Sequence, residues 1–545
     1  MAKSDAENRI AVIDYETDPF KYGRIPKPFV AGFYDGEIYK QFWGDDCVQQ
    51  LVDWLQFDAP HEYMIFAHNG GKFDFFLMLE HLENPVKIIN GRIVEARLGA
   101  HKLRDSFAII PISLAAYQKD EIDYEKFERE HRDSNRDEIC RYLRSDCVYL
   151  FELVSAFVER FTAKITVGST AIAELRKFHP FDQQRDVHDA KYRPFYFGGR
   201  VEALETGILE GAWEVHDVNS MYPYVMAEYD HPTGRDYFVS YSAILDKKGR
   251  MSGYANAPFY FAHIECVQDG AFPTRVKDSP LDFNVRHGEF WVTSHELKAA
   301  MELGRVSQVK VKSVHVPLKT IRFKEYVDYW MAEKIAGKTQ GDKIRELFAK
   351  FMLNSAYGKF GTNPDNYKDF LIQRIGDDMP PEPWSISSSH RCGVNLWEKD
   401  AQNKRYFDVA TAASITSAAR SVLLRALATA KRPVYCDTDS IICESLGQPG
   451  DPSRLGAWKL EAEGDTIAIA GKKLYALRQG GKFVKIASKG VRLTGGAIFD
   501  LCRGGYVEWE NQAPSFSLKK PIPKDGEDSS HMFVKRKIVA SSARP

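Results

Sequence analysis

Apolar and acidic positions alternate around residue 437 in a way that predicts a β-hairpin. Apolar runs at 433–435 and 441–443 flank Asp437 and Asp439, which would form the tip. Because residues i and i+2 of an extended segment point the same way, these two carboxylates can face one site. Carboxylate oxygens suit Mg²⁺, which keeps other positions open for phosphate oxygens. A lone Asp-x-Asp is more often a solvated turn, so this interpretation depends on the rest of the chain.

Two further apolar runs lead into carboxylates. Residues 9–13 predict a strand that continues into Asp14 and Glu16. Residues 213–218 predict a second strand, which carries Asp217 near its end. Each run alone is moderate evidence for a site, and their repetition along one chain strengthens the case.

The spacing of apolar residues between Asp217 and Asp437 predicts a helix. The positions at helical spacing are Ile344, Leu347, Phe348, Phe351 and Met352. Lys350, Asn354 and Tyr357 fall at i, i+4 and i+7, so they share a different stripe of the same helix. A cation, an amide and an aromatic ring on one stripe suit a triphosphate and a stacked base pair better than a purely solvated face.

Four carboxylates are spread over the amino-terminal third of the chain, namely Asp14, Glu16, Asp74 and Asp146. A two-metal phosphodiester hydrolase needs such a set, because one ion activates water and the other stabilises the leaving oxygen. An isolated Asp-x-Glu is common surface charge, so this hypothesis depends on the segments acting together.

Composition is compatible with a nucleic-acid enzyme but does not require one. A chain of 545 residues indicates several domains, and its formal net charge of −1 averages over acidic and basic surfaces. Eight cysteines occur without a Cys-x-x-Cys pair, which argues against a zinc module. Neither a signal peptide nor an apolar run of membrane-spanning length is present. We therefore expect a cytoplasmic protein without membrane contact, in the host cytoplasm if the source is a virus.

Three segments resemble the polymerase motifs of family B DNA polymerases. They are 217–223 (Asp-Val-Asn-Ser-Met-Tyr-Pro), 350–358 (Lys-Phe-Met-Leu-Asn-Ser-Ala-Tyr-Gly) and 435–440 (Tyr-Cys-Asp-Thr-Asp-Ser). The order of the three motifs along the chain matches the family. Their residues are most similar to those of the protein-primed polymerases of small Bacillus phages. The chain departs from that pattern at Met221 and Gly361, and neither departure removes a functional group.

The resemblance implies roles for the polymerase residues. Two Mg²⁺ ions in each active site, with Mn²⁺ as a possible substitute, would be held here by Asp217, Asp437, Asp439 and the carbonyl of Val218. Lys350 and Lys338 would grip the incoming triphosphate, beside Asn354 and Tyr357. Tyr222 would lie beneath the sugar and exclude a 2′-hydroxyl by steric clash.

The amino-terminal segments 14–17, 66–74 and 142–146 resemble, in order, the three motifs of the proofreading 3′→5′ exonuclease of the same polymerases. The implied metal ligands are Asp14, Glu16, Asp74 and Asp146. Tyr142 would orient the attacking water and Lys119 would assist the chemistry. The residues implied to hold the single-stranded primer end are Thr17, His68, Asn69 and Phe73.

Two smaller segments match the same family. Tyr196, Gly198 and Gly199 resemble the Tyr-x-Gly-Gly segment that joins the two activities and contacts the template strand. Lys473 and Tyr475 resemble the Lys-x-Tyr segment that steadies the primer end. A Gly-Gly turn or a Lys-x-Tyr is unspecific by itself, and these assignments depend on position along the chain.

The resemblance also implies the architecture. We expect an α/β multidomain chain with an RNase H-like 3′–5′ exonuclease domain, followed by a right-hand palm, fingers and thumb with two insertions. The expected boundaries are 1–165 for the exonuclease domain, 166–228 for the first part of the palm, 229–325 for an insertion that contacts a terminal protein, 326–361 for the fingers, 362–407 for an insertion that forms a DNA-encircling hairpin, 408–500 for the second part of the palm, and 501–545 for the thumb and tail. The thumb is assigned by position alone.

The resemblance thus implies a monomeric, template-directed DNA polymerase with proofreading that binds primer-template DNA and dNTPs. Its resemblance implies initiation from a terminal protein that primes a linear genome. A DNA-primed, RNA-primed or primer-independent polymerase remains an alternative. An inactive DNA-binding scaffold is a second alternative, although it would be expected to have lost metal ligands. A nuclease without polymerase activity would not need the Lys350 helix.

Overall fold

The computed structural model describes residues 9–162, 164–180, 186–252, 256–276, 279–390, 392–402, 408–447, 450–451, 453–523 and 527–541. The strands are β1 (Arg9–Thr17), β2 (Pro28–Tyr34), β3 (Tyr39–Trp43), β4 (Tyr63–Ala67), β5 (Glu83–Ile89), β6 (Arg92–Leu98), β7 (His101–Asp105), β8 (Val201–Ala203), β9 (Gly207–Val218), β10 (His231–Ser240), β11 (Phe261–Gln268), β12 (His287–Thr293), β13 (Val306–Ile321), β14 (Lys368–Arg374), β15 (Ser385–His390), β16 (Val394–Asp400), β17 (Tyr435–Asp437), β18 (Ser440–Cys443), β19 (Trp458–Gly471), β20 (Leu474–Gln479), β21 (Lys482–Ser488), β22 (Tyr506–Glu510) and β23 (Lys535–Val539). The helices are α1 (Cys47–Asp53), α2 (Asp74–Leu77), α3 (Arg136–Arg160), α4 (Val167–Phe178), α5 (Asp186–Tyr192), α6 (Met221–Glu228), α7 (Ser294–Glu302), α8 (Lys324–Gln340), α9 (Lys343–Phe360), α10 (Val409–Thr429) and α11 (Gly495–Cys502).

A mixed sheet forms the amino-terminal part of the molecule. Its strand β1 pairs with antiparallel β2 on one side and with parallel β4, then parallel β7, on the other. Both faces of β1 are buried, because Val12 points into the core beneath α3 while Ala11 and Ile13 point into a second core. This is the RNase H-like arrangement expected from the sequence.

A second sheet carries the predicted acidic hairpin. Its strands lie in the order β21-β20-β19-β9-β18-β17-β8, and β9 is flanked by β18 and β19. The predicted hairpin is confirmed as β17 and β18, and the predicted strand over 213–218 is the end of β9. Helix α10 is buried along most of its length and packs against α6 and the sheet, so the acidic strands rest on a rigid support.

The helix predicted around Lys350 is confirmed as α9, which packs beside α8. Phe348, Phe351 and Met352 are buried in the core that α9 shares with α3, whereas Lys350 and Asn354 are exposed. The apolar stripe therefore faces the protein, and the polar stripe is free to face a ligand.

The first expected insertion is a separate small sheet. Strands β10-β13-β11-β12 pair in that order, and α7 packs on one face over a core of its own. A buried ion pair joins this unit to α10, because Arg420 Nε lies 2.7 Å from Glu296 Oε1 of α7. The sheet is therefore anchored to the helix beneath the acidic strands.

The second expected insertion is more extensive than a hairpin. Strands β14, β15 and β16 form a three-stranded unit that continues the amino-terminal sheet through β5, where Phe370 pairs with Val86. The side chain of Asn84 reinforces the junction by accepting a hydrogen bond from Ile372 N at 2.9 Å and donating one to Ile372 O at 2.6 Å. Residues 375–384 form the loop between β14 and β15, and Met379 in that loop is 79% exposed.

The carboxy-terminal residues return to the amino-terminal sheet. After α11 and β22, the chain buries Phe516, Leu518, Met532 and Phe533 in the core that contains Phe76, and β23 then pairs with β22. The last part of the chain is thus an integral part of the first domain. Among the described residues, no helix combines the length and apolar character needed to cross a membrane.

Candidate active sites

Two carboxylates of the second sheet are brought together by strand register. Asp217 of β9 and Asp437 of β17 both lie opposite Ser440 of β18. The tight turn of the hairpin places Thr438 at φ 60°, and Val218 N donates to Asp439 O at 2.8 Å. This bond holds the turn against the end of β9, so Asp217 and Asp439 face one another.

The electrostatics of this pair favour a cation. Burial, followed by the charges of the neighbouring carboxylates Asp439 and Glu461, raises the pKa of Asp217 to about 7. The pKa of Asp439 is also raised, chiefly by burial and then by Asp437. Buried carboxyl groups with raised pKa values are costly to ionise, and a positive ion bound between them stabilises their ionised form.

Asp437 is turned toward a different partner. Its Oδ1 lies 2.5 Å from Lys473 Nζ, and Lys473 N donates to the hydroxyl of Tyr435 at 2.8 Å. The ring of Tyr475 packs on the ring of Tyr435 with centroids 5.0 Å apart. The predicted Lys-x-Tyr segment is therefore adjacent to the acidic hairpin, with the Lys473 ammonium on Asp437.

Glu461 is a member of this site that sequence reasoning missed. It lies on β19, two residues after Lys459, which pairs with Asp217 across the sheet. Its ion pairs are with Lys485 and with Lys459. Glu461 is placed at the site by the register between β9 and β19, and the sequence pattern does not specify that register.

Two tyrosines of separate motifs meet beside the carboxylates. The rings of Tyr222 and Tyr357 stack with centroids 3.8 Å apart and planes 12° from parallel. Tyr196 lies close by and packs against Gly361 at the end of α9, where a Cβ atom would come within 2.5 Å of the Tyr196 ring. The departure at Gly361 thus accommodates Tyr196.

The predicted Tyr-x-Gly-Gly loop packs on the tip of the acidic hairpin. A Cβ atom on Gly199 would lie 2.8 Å from the Thr438 side chain, so this position needs glycine. Arg420, also missed from sequence, donates to the carbonyls of Phe197 and Gly198 at 2.7 Å each. The loop is held by a buried cation and leaves the Gly198 Cα open to a ligand.

The lysines of α8 and α9 are placed differently from one another. Lys338 is exposed at the end of α8, and Lys350 Nζ lies 2.7 Å from Glu346 Oε1. Lys334, missed from sequence, is half-buried with its Nζ 3.5 Å from Ser220 Oγ. Burial and then the charge of Lys350 lower the pKa of Lys334. Lys334 is therefore the α8 lysine that reaches the acidic site.

A second acidic site lies on the amino-terminal sheet. Oxygens of Asp14, Glu16 and Asp146 all lie within 4.8 Å of one another, and Asp74 stands at the start of α2. Burial raises the pKa of Asp14 to about 7, with Asp146 adding to the effect. Burial likewise raises the pKa of Glu16, Asp74 and Asp146. Four acids that repel one another in this way suit divalent cations.

The hydrogen bonding of Asp146 is separate evidence that the four acidic residues suit a bound cation. Its Oδ2 lies 3.1 Å from Lys119 Nζ, while its Oδ1 is buried and has no hydrogen-bond partner within the described ranges. An unpartnered buried carboxylate oxygen is costly unless a ligand satisfies it. The residues present therefore fit a bound cation.

Tyr142 is connected to a residue that sequence reasoning did not select. Its hydroxyl lies 3.1 Å from the hydroxyl of Tyr124, and Lys119 Nζ lies 5.3 Å from the centre of the Tyr142 ring. A cleft of about 790 Å³ opens beside Lys119 and Tyr124. Tyr124 lies in the same short segment as Lys119, and this closeness in sequence is the feature that could have identified Tyr124 as a site residue.

The residues expected to hold a single strand occupy different environments. Asn69 adopts a left-handed backbone at φ 62°, and Thr17 Oγ1 donates to Asp18 O at 3.1 Å. Both ring nitrogens of His68 are engaged, with Ser106 Oγ at 3.0 Å and Ile112 O at 2.8 Å. Burial lowers the pKa of His68 to about 4, so the ring is neutral at pH 7. Phe73 remains half-buried beside Asp74.

The chain is similar to phage DNA polymerases over nearly its whole length. The family described as DNA polymerase type B, organellar and viral, matches residues 115–442. The DNA-directed DNA polymerase of Enterobacteria phage PRD1 is 43% identical over 98% of this chain and 99% of that protein. The DNA polymerase of Bacillus phage phi29 is 26% identical over 66% of this chain and 62% of that protein. A solved structure of phi29 DNA polymerase with primer-template DNA and incoming nucleotide has a similar fold, with a TM-score of 0.72 at 19% identity, covering 98% of this chain and 100% of that one.

Proposed function

Because the chain belongs to the organellar and viral type B DNA polymerases, we propose that it extends DNA at the Asp217–Asp439 site and removes 3′-terminal nucleotides at the Asp14–Asp146 site. The observation that carries this proposal is the presence of two separate carboxylate clusters, each with a pKa raised by burial and mutual repulsion. DNA-directed DNA polymerase activity follows from membership of the family. Proofreading is the proposal that the second cluster adds.

Divalent metal ions serve this family, and Mg²⁺, two ions to each site, is the ion we expect here, with Mn²⁺ as a substitute. When bound, the ions would lower the pKa of the attacking hydroxyl or water and stabilise the charge of the transition state. The ligands would be Asp217, Asp439 and the Val218 carbonyl, with Asp437 in support. At the exonuclease site they would be Asp14, Glu16, Asp74 and Asp146.

The nucleotide would lie between α9 and the acidic hairpin. Lys350 and Lys334 would bind the triphosphate, Lys338 would contribute from the exposed end of α8, and the exposed Asn354 lies on the same stripe as Lys350. Tyr222, stacked on Tyr357, would form the floor beneath the sugar. A 2′-hydroxyl would have to displace a ring that is already in van der Waals contact on its other side.

DNA would be held on both sides of the hairpin. The loop with Tyr196, Gly198 and Gly199 would contact the template strand, and Lys473 with Tyr475 would contact the primer end. Lys473 would then exchange its partner Asp437 for a primer phosphate, which frees a carboxylate when the primer arrives. This exchange would couple primer binding to completion of the acidic site.

At the exonuclease site, Tyr142 would hold the attacking water with its hydroxyl, and Lys119 would assist from its place on Asp146. Thr17, Asn69, Phe73 and His68 would hold the frayed 3′ end. Because both His68 nitrogens are engaged, its contribution would come through the ring face or through support of residues 106–112.

The domains would follow the expected boundaries, with residues 229–325 contacting a terminal protein and the 362–407 unit enclosing DNA, while Phe516, Leu518, Met532 and Phe533 of the last segment pack into the core of the exonuclease domain. In protein-primed initiation, a Ser, Thr or Tyr hydroxyl of the terminal protein attacks the α-phosphate of the first dNTP, and pyrophosphate leaves. The polymerase would act as a monomer in the host cytoplasm. DNA or RNA priming is the second candidate, since nothing in the acidic site depends on which molecule supplies the hydroxyl.

The test compares labelled dNTP incorporation on a primed template, with Mg²⁺, for the parent, Asp439→Ala and the Asp14→Ala/Asp74→Ala double variant. We expect Asp439→Ala to abolish extension alone and the double variant to abolish primer degradation alone. Loss of both activities in either variant would contradict two separate sites. A parent with neither activity would favour the inactive scaffold.

A further inference from the structure

Phe20 is an exposed aromatic residue on the loop that follows β1 and contacts Phe73, the residue before Asp74. Its side chain is 46% exposed, and its ring meets the ring of Phe73 edge-on, with centroids 5.6 Å apart and an interplanar angle of 69°. Phe73 directly precedes Asp74, and Phe20 lies four residues after Glu16. Both rings therefore belong to segments that carry carboxylates of the site.

Phe73 is supported on another side by the end of the chain. The ring of Phe516 packs edge-on against it with centroids 5.5 Å apart, and Phe516 is only 2% exposed. Phe516 also contacts Phe76. Phe516 thus provides packing for Phe73 without Phe20. A role in packing Phe73 therefore does not explain why the ring of Phe20 is exposed.

The loop that carries Phe20 is firmly held. Arg24 Nη1 lies 2.8 Å from Glu128 Oε2, and the carboxy-terminal segment contributes two hydrogen bonds to the same loop. Tyr22 N donates to Gln512 Oε1 at 2.9 Å, and Ser529 Oγ donates to Gly23 O at 2.9 Å. An exposed ring on an anchored loop loses little conformational entropy when a ligand stacks on it.

We propose that Phe20 and Phe73 together form a stacking platform for bases of the unpaired 3′ end of DNA, set in place by Phe516. Single-stranded nucleic acid is bound in this way because every base has an apolar face that stacks on an aromatic ring. The platform selects unpaired ends, since bases stacked within a duplex do not present a free face. The inference rests on the proposed exonuclease function and adds Phe20 as a substrate-binding residue.

The test measures exonuclease kinetics with Mg²⁺ on a single-stranded oligonucleotide for Phe20→Ala, Phe20→Leu and Phe20→Trp. Because a base–aromatic stack is worth about 1–3 kcal/mol, we expect KM to rise about tenfold for Ala and Leu, with kcat within about twofold of the parent. The Trp variant should retain a KM close to the parent value. Extension of a matched primer should be unchanged in all three.

Phe57→Ala is the matched control, because Phe57 is 80% exposed on the same domain and precedes β4, whereas the site lies at the other end of that strand. An unchanged KM in Phe20→Ala, or a Leu variant that behaves like the parent, would overturn the platform. A lowered melting temperature with impaired primer extension would assign Phe20 a structural role and overturn it as well. A parent without any exonuclease activity would instead contradict the proposed function.

Discussion

The ring of Tyr222 lies flat on the ring of Tyr357, with centroids 3.8 Å apart. Tyr222 belongs to α6 beside the acidic strands, and Tyr357 belongs to α9. The stack therefore connects the sheet of the acidic hairpin to the helix that carries Lys350. Any movement of α9 changes the support beneath the expected sugar position.

Sugar discrimination should depend on both rings. Overpacking against a fixed ring costs about 1–3 kcal/mol, so removal of that clash in Tyr222→Val should raise ribonucleotide incorporation about ten- to a hundredfold. Tyr357→Ala should weaken discrimination in the same direction, because Tyr222 loses its support. Single-nucleotide incorporation of dNTP and rNTP would measure both effects. Tyr222→Phe keeps the ring and should match the parent, and discrimination that is equal in Tyr222→Val and the parent would remove Tyr222 from this role.

The two α8 lysines should differ in their effect on nucleotide binding. A hydrogen bond to a charged group is worth about 1.5–3 kcal/mol, so Lys334→Ala should raise the KM for dNTP about tenfold or more. Lys338→Ala should have a smaller effect, because Lys338 is exposed at the helix end. Steady-state incorporation over a range of dNTP concentrations would separate them. A larger effect at Lys338 would show that the helix repositions when nucleotide binds.

Gly361→Ala should disturb the Tyr196 loop. A Cβ atom there would lie 2.5 Å from the Tyr196 ring, and overpacking costs about 1–3 kcal/mol. We expect a lower melting temperature and weaker binding of primer-template DNA, measured by thermal unfolding and by gel shift. Gly358→Ala is the control for stability, because a Cβ at that position would meet no atom within 4 Å from any described residue beyond its own stretch of α9. Replacing Tyr196 by Leu in the Gly361→Ala background should restore the melting temperature, and failure to do so would locate the strain elsewhere.

Stabilisation by Mg²⁺ should increase with pH. The pKa of Asp217 and that of Asp14 are each raised from 3.8 to about 7, so the metal-free fold favours the protonated acids and loses stability as pH rises from about 4 through 7. Mg²⁺ binds the ionised carboxylates, and it therefore competes with protons below pH 7. The increase in melting temperature on adding MgCl₂ should be larger at pH 8 than at pH 6. The Asp14→Asn/Asp217→Asn variant should lose most of that difference, and an equal increase at both pH values in the parent would contradict it.

The elements that position the carboxylates could be predicted from sequence, because each is set by a local pattern. The strand into Asp14, the end of β9, the hairpin around Asp439 and helix α9 all follow from apolar periodicity and were confirmed. Which side of a helix faces the site is decided by packing between helices. Lys334 and Lys338 share one side of α8, and only the position of the helix along its axis, which the pattern does not specify, shows that Lys334 lies beside Ser220.

Contacts between distant segments could not be predicted in the same way. Glu461 enters the site through the register between β9 and β19, and Arg420 does so through hydrogen bonds to a loop more than two hundred residues earlier in the chain. Strands β14, β15 and β16 join the amino-terminal sheet at β5, a pairing that the hairpin implied by the resemblance did not include. The pattern of a single sequence predicts strands, but it does not show which sheet edge those strands pair with.

The return of the carboxy-terminal segment has a consequence for biosynthesis. The amino-terminal domain leaves the ribosome early, yet its core is completed by Phe516, Leu518, Met532 and Phe533, which are translated several hundred residues later. A nascent or prematurely terminated chain therefore exposes Phe73 and Phe76 to solvent and to chaperones. Folding of the amino-terminal core is therefore completed only after residues 516–533 have been synthesised.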